Sequence, residues 1–186
     1  MLYEIKSKLI KWFGDIQVFK FPFFIITGHT KYKIKGTHQR EILGVLQPGD
    51  IFLRRYDNYL SGLMIPGYFT HAAIYVGDNQ IIHLLGNGIC KEDILTFLRC
   101  DNVVLLRHKD KSVIDEAIKR AYNQLEKKVE YDYDFNTNSP DKFYCTEFVD
   151  FCFDYPVKPF IEHDCILPDD FLLSDKFTIM WTKGKN

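Results

Sequence analysis

The fold prediction rests on Phe143-Tyr144-Cys145-Thr146-Glu147-Phe148-Val149, which follows a turn-rich segment at residues 134–141. We expect a helix to begin near Cys145. Free backbone N–H groups and the positive end of the helix dipole favour a thiolate there and could bind the oxyanion formed when sulfur attacks a carbonyl. Cys145 also shares a helix face with Phe148 and Cys152. A buried, inert cysteine is therefore the structural alternative.

A second segment, Phe69-Thr70-His71-Ala72-Ala73-Ile74-Tyr75-Val76-Gly77, could supply a base. We predict a strand here and a return strand that carries His83, joined by a three-residue loop at residues 77–79. That loop would pair Ala73 with His83, so His71 and His83 would share one face as diagonal neighbours. A two-residue loop would place them on opposite faces. We therefore expect His71 to be the base for Cys145 and His83 to orient it.

Composition indicates one globular domain. The 186 residues are 46% hydrophobic and 16% aromatic with a net charge of −1, and no basic stripe indicates nucleic acid as a partner. Five cysteines without a Cys-x-x-Cys pair favour a reducing compartment, so we expect a cytoplasmic protein. The charged N-terminus does not resemble a signal peptide, and the apolar run at residues 21–27 is too short to span a bilayer.

The periodicity of apolar residues predicts an α+β fold, with helices around a meander of strands. We expect strands at 51–55, 71–76, 80–85, 102–107 and 177–181, and helices at 3–13, 37–46, 91–99 and 112–125, with Thr37 and Ser112 as caps. The apolar residues of helix 3–13, together with the phenylalanines of residues 19–24, are expected to pack on the core. Peripheral contact with a membrane surface is the alternative.

Four segments together resemble a known family: Leu46-Gln47-Pro48-Gly49-Asp50-Ile51, residues 66–77, Gln80-Ile81-Ile82-His83, and Tyr144-Cys145-Thr146-Glu147-Phe148-Val149. Residues 131–135, which lead into the cysteine motif, also resemble that family. The chain is similar to the permuted, YiiX/YebB-like branch of the NlpC-type cysteine hydrolases. The resemblance covers roughly residues 46–155, and because His71 precedes Cys145 it implies a circularly permuted papain-like fold, with an antiparallel sheet or partial barrel flanked by helices. We expect a single domain over 1–186, in which 1–45 are an N-terminal addition and 46–186 the catalytic core.

The family's catalytic residues fall on Cys145 as nucleophile, His71 as base and His83 as the third polar residue. Many relatives have a glutamate at the last position, and the second histidine is closer to the lecithin:retinol acyltransferase-like proteins. We expect Glu147, Tyr144 and Thr70 to contact substrate, although Glu147 could instead suit the positive helix end. No cofactor is implied, and His71 with His83 leaves a metal site without an evident third ligand.

The expected activity is cysteine-dependent hydrolysis of an amide bond in a peptide, a peptidoglycan fragment or an N-acyl amino acid through a thioester. Two alternatives remain. One is a lipid-directed thiol acyltransferase or phospholipase, and the other is a non-catalytic binding module on the same fold. The expected partner is thus a small-molecule, peptide or lipid substrate.

Overall fold

The computed structural model describes residues 2–14, 17–19, 24–26, 32–57, 59–60, 62, 65–135, 141–158 and 165–183. Its helices are α1 (Leu2–Gly14), α2 (Gly36–Val45), α3 (Ile94–Phe97), α4 (Ile114–Lys127), α5 (Cys145–Cys152) and α6 (Asp170–Leu173). Its strands are β1 (Gln17–Phe19), β2 (Phe24–Ile26), β3 (Ile51–Arg55), β4 (His71–Gly77), β5 (Gln80–Leu85), β6 (Gly88–Asp93), β7 (Asn102–His108), β8 (Glu130–Tyr131), β9 (Lys142–Phe143) and β10 (Phe177–Thr182).

The centre of the fold is a six-stranded sheet in the order β10-β7-β3-β4-β5-β6. Every neighbouring pair in this sheet is antiparallel. Within the described residues β10 and β6 form its two edges, so the sheet is open and not a closed barrel. The predicted α+β class, with an antiparallel sheet flanked by helices, is confirmed.

The β4–β5 hairpin reaches the predicted register by a different route. Asp78 and Asn79 form a two-residue turn with φ of 51° and 58°, and Gly77 pairs with Gln80. A register shift between Tyr75 and Gly77 then restores the pairing of Ala73 with His83. The predicted three-residue loop is therefore wrong, but the bulged strand places His71 and His83 on one face as expected, because an extra residue in a strand has the same effect on register.

The two faces of the sheet bury separate apolar clusters. On one face, α5 packs against β4 and β5 through Phe148, Val149 and Cys152, next to Ala72 and Ile74. The residues of β3, β4, β5 and β7 that point to the other face pack with α2 and α3, and this second cluster includes Ile42, Phe52, Ala73, Ile81, Phe97 and Leu105. A helix on each face thus fixes the twist and position of β4 and β5.

The sequence predictions place the start of three helices at the wrong residue. Residues 91–93 of the predicted helix 91–99 belong to β6 instead, because residues 88–93 pair with β5 along its whole length. The helix starts only where the Asp93 carboxylate accepts the N–H groups of Leu95 and Thr96. Lys35, not Thr37, precedes α2. Asp110, not Ser112, caps the 3₁₀ turn at Lys111–Val113 that leads into α4.

Helix α1 does not bury its apolar stripe as predicted. Of the residues predicted to pack, Ile5, Leu9 and Phe13 are 52%, 59% and 36% exposed, and Ile10 is half-buried. Trp12 is also exposed, at 68%, because the opposite side of the helix faces the domain. There the Tyr3 hydroxyl donates to the carbonyl of Tyr131 at 3.0 Å. Residues 20–23, with two of the phenylalanines grouped with this helix (Phe21 and Phe23), lie outside the described residues. Across the described part of the chain, every helix is too short or too polar to cross a membrane.

Candidate active site

A rigid loop leads the chain into β4. Gly67 adopts a φ of +102°, a conformation that favours glycine, and a Cβ there would come within 2.6 Å of the Asp169 carboxylate. That carboxylate accepts the N–H groups of Tyr68 and Phe69, the latter at 3.0 Å. The turn just before α6 therefore holds the residues that precede His71 and fixes where β4 begins.

The structure brings the two predicted histidines into direct contact. His71 Nε2 lies 2.9 Å from His83 Nδ1, and both rings pack against Phe97 at centroid distances of 6.1 Å and 5.6 Å. His83 is 0% exposed, whereas His71 at the start of the strand is partly exposed. A ring held by one hydrogen bond and one aromatic contact has a fixed orientation, as a general base requires.

The Cys145 sulfur lies at the first turn of α5, at the point where β4 and β5 separate. The pairing of β4 with β5 begins only at Ala73, and the N–H of Ala72 donates to the sulfur instead. The N–H of Thr146 also donates to it, and the Thr146 hydroxyl lies 3.7 Å away. Cys145 is 5% exposed. The sulfur is thus enclosed but lies directly beside the peptide that joins His71 to Ala72.

The resting structure does not join the sulfur to either imidazole by a hydrogen bond within the described residues. The reason is geometric, since α5 packs on the face of Ala72 whereas His71 and His83 lie on the face of Phe97. The sulfur comes nearest to His71 through the backbone at the start of β4, where the next residue, Ala72, donates its N–H to the sulfur. Hydrogen bonds between a nucleophile and its base are often long in a resting site and shorten when substrate binds.

Burial keeps this site neutral at rest. It raises the pKa of the Cys145 thiol, and hydrogen bonds to the sulfur offset this only in part. Burial, followed by the nearby Arg54 guanidinium, holds the pKa of His71 well below its ordinary value and lowers that of His83 to about 3. The predicted thiolate is therefore not the resting form. A neutral imidazole can still take the thiol proton as the sulfur attacks.

Tyr131, the first residue of the segment 131–135 that resembles the family, was not predicted as a site residue. Its hydroxyl donates to the Cys145 sulfur and accepts the backbone N–H of Cys145, the group expected to bind an oxyanion. Burial and the adjacent sulfur hold the pKa of Tyr131 well above its ordinary value, so the hydroxyl stays a donor. Its position on short β8, paired with the β9 residues just before the cysteine helix, is a non-local feature without a local sequence signal.

The three residues expected to contact substrate occupy different environments. Glu147 is 1% exposed and accepts the N–H of Tyr144 at 3.4 Å, so it occupies the helix-end position that was its alternative. Burial raises the pKa of Glu147 to about 7. Tyr144 is also buried, and its hydroxyl accepts the N–H of Ile166 at 2.8 Å. Thr70, next to His71, is the one that remains partly exposed.

In the described ranges, no group of three or more His, Cys, Asp or Glu side chains is arranged to hold a metal ion. The five cysteines, all of which lie in those ranges, form no disulfide bond with one another.

Comparisons with known proteins identify the family and the fold. Residues 45–182 match the family model described as a permuted papain-like amidase enzyme, YaeF/YiiX, of the C92 family. A solved structure of the metalloprotein YiiX from Escherichia coli O157:H7 has a similar fold, with a TM-score of 0.60 at 13% identity over 75% of this chain and 98% of that one. No curated protein matches the chain by sequence.

Proposed function

Because the chain belongs to the permuted papain-like amidases of the C92 family, it is an enzyme of the cysteine hydrolase type, and we propose that it cleaves amide bonds through a thioester on Cys145. The substrate class that we propose is a peptide, a peptidoglycan fragment or an N-acyl amino acid. One observation carries the proposal: His71, which lies 2.9 Å from the buried His83, directly precedes Ala72, and the N–H of Ala72 donates to the Cys145 sulfur.

The residues support a two-step reaction. In the first step His71 takes the thiol proton while the sulfur attacks the amide carbon, and the tetrahedral oxyanion forms near the Cys145 N–H and the Tyr131 hydroxyl. The C–N bond then breaks, and the amine leaves with the proton from His71. In the second step His71 takes a proton from water, the hydroxide attacks the thioester, and the acid leaves as the sulfur regains its proton. His83 holds His71 in one tautomer throughout.

The test is turnover of a panel of short peptides, muropeptides and N-acyl amino acids, with the released amine measured by mass spectrometry. Cys145→Ser should abolish turnover without loss of folding. Cys152→Ser is the matched control, since this second cysteine of α5 is buried two turns further on and should leave turnover intact. Full activity of Cys145→Ser would exclude Cys145 as the nucleophile.

Lipid-directed acyl transfer is the second candidate, because two observations favour it. The third polar residue is a histidine, and α1 exposes Ile5, Leu9 and Trp12 to solvent, a stripe that suits a lipid surface. Vesicles of phosphatidylcholine, offered in parallel with the amide panel, separate the two. Release of fatty acid or acyl transfer to an amine, without amide cleavage, would favour the lipid reaction.

We propose that the protein works in the cytoplasm, because the five cysteines in the described residues form no disulfide bond, which suits a reducing compartment.

A further inference from the structure

His83 Nε2 is a buried ring nitrogen without a hydrogen bond in the described part of the chain. His83 Nδ1 contacts His71 Nε2, but His83 Nε2 is buried without a partner within the described residues. If His71 uses Nδ1 toward the sulfur, its Nε2–H must donate to His83 Nδ1. Neutral His83 then carries its own proton on Nε2. A fully buried N–H group without an acceptor is unfavourable, and this one points away from the sulfur.

A carboxylate lies just beyond that nitrogen. Glu92 Oε2 is 3.7 Å from His83 Nε2, slightly longer than a hydrogen bond. The sheet register accounts for the position, since Glu92 on β6 pairs with Ile81, two residues before His83 on β5, and so lies on the same face. Its side chain is 29% exposed, so a small side-chain rotation can close the remaining distance.

A buried cation lies beside the same carboxylate. Arg54 Nη1 is 3.9 Å from Glu92 Oε2, and the Arg54 side chain is 7% exposed. Its guanidinium packs over the Phe97 ring at 4.0 Å, the ring that both histidines contact. This cation opposes protonation of both histidines, so the imidazolium that forms during acyl transfer needs a compensating negative charge. Glu92 is placed to provide it.

We infer that Glu92 is a positioning residue for the proposed reaction: its carboxylate accepts the His83 Nε2–H and extends the site to Cys145–His71–His83–Glu92. The inference rests on the proposed function. Glu92 fixes the tautomer of His83 and supplies the formal charge that a histidine in this position lacks. The other titratable or charged groups near His83 and Glu92 lie on β3, β4 and β6 and in the residue after β3. They are Arg54, Tyr56, His71, Cys90 and Asp93.

The experiment measures acylation of the enzyme by 4-nitrophenyl acetate between pH 4.5 and 8, with the modified cysteine identified by mass spectrometry. Glu92→Gln keeps the shape and an acceptor oxygen but removes the charge. We expect acylation about tenfold slower at pH 8 with an unchanged KM, the effect of one partly screened charge. Glu126→Gln, which removes an exposed carboxylate on α4, is the matched control and should match the wild type.

The pH profile separates positioning from simple stabilisation. Burial raises the pKa of Glu92 above its ordinary value, so wild-type acylation should fall as this carboxyl gains a proton, whereas Glu92→Gln should not show that step. The two rates should therefore converge near pH 4.5. Equal rates at pH 8, or a difference that stays constant with pH, would overturn the inference.

Two further variants keep the result interpretable. Cys145→Ala must lose acylation; if the wild type is not acylated at Cys145, the proposed function fails, and the inference with it. An acylated wild type with an unaffected Glu92→Gln would remove the inference alone. If Glu92→Gln does not fold, Glu92→Asp retains the charge and should keep the pH step at an intermediate rate.

Discussion

Replacing His83 by alanine tests the histidine pair directly. The change removes one partly buried hydrogen bond of 2.9 Å, which becomes charge-assisted when His71 is protonated during acyl transfer. Such a bond contributes about 1.5–3 kcal/mol, so kcat should fall about 10- to 150-fold. KM should stay constant because His83 is fully buried and does not reach the substrate side.

The same substitution has a predictable effect on stability. His83 packs against Phe97 and is 0% exposed, so alanine leaves a cavity and should lower the free energy of unfolding by about 1–3 kcal/mol. Loss of the unpartnered Nε2–H offsets part of that cost. The variant should therefore remain folded at 25 °C, which circular dichroism and urea titration can check.

Acylation kinetics with 4-nitrophenyl acetate provide the assay, with His83→Gln as the conservative variant. Glutamine offers an oxygen that can accept the His71 Nε2–H, so its rate should lie between those of the wild type and His83→Ala. A change in KM alone would assign His83 to substrate binding. An unchanged kcat in a folded His83→Ala would refute the orienting function.

Three further predictions concern the scaffold. Gly49→Ala should lower the urea midpoint of unfolding by several tenths molar or more, because Gly49 has a φ of +85° and a Cβ there would lie 2.5 Å from the Ile114 side chain. Gly44 has open space around it, so the control Gly44→Ala should leave that midpoint unchanged or raise it. Asp50→Ala breaks the paired contacts of 2.7 Å and 2.8 Å with Arg107 and should cost about 2–4 kcal/mol in urea titrations; a loss below about 1 kcal/mol would mean the pair adds no net stability. The pKa of Glu147 is raised from 4.5 to about 7 in the folded protein, so the native state binds more protons than the unfolded state. The free energy of unfolding should therefore fall as pH rises from about 4.5 to 7. Glu147→Gln should weaken that fall when the free energy of unfolding is measured at pH 5 and pH 8.

The sequence predicts the parts of this site that follow from local periodicity. The alternation of side chains along β4 and β5 puts His71 and His83 on one face of the sheet. The turn-rich segment before Phe143 predicts the helix that begins at Cys145. The bulge that sets the hairpin register could not be predicted, because it depends on the turn dihedrals of two residues. The pairing of Ala73 with His83 is the same in the prediction and in the structure only because the predicted three-residue loop and the observed bulge each add one residue to the β4 side.

Residues that reach the site through long-range pairing were missed. Glu92 belongs to a segment predicted as helix, and only pairing with β5 turns it into a strand that faces His83. Tyr131 lies in a short strand whose partner is just before the cysteine helix. Residues 131–135 resemble the family, but that resemblance gave Tyr131 no role in the site. The contribution of Tyr131 and Glu92 depends on contacts that form only when the strands pair.

The contact of α1 with the domain has a practical consequence for recombinant work. Tyr3 donates to the carbonyl of Tyr131, and Lys6 pairs with Asp134 four residues beyond the start of β8. A purification tag fused ahead of α1 can displace α1 and, with it, strand β8, whose Tyr131 contacts Cys145. The tag would then alter the measured rates without any mutation. Enzymology on this protein should therefore use a tag that is cleaved off or joined after β10.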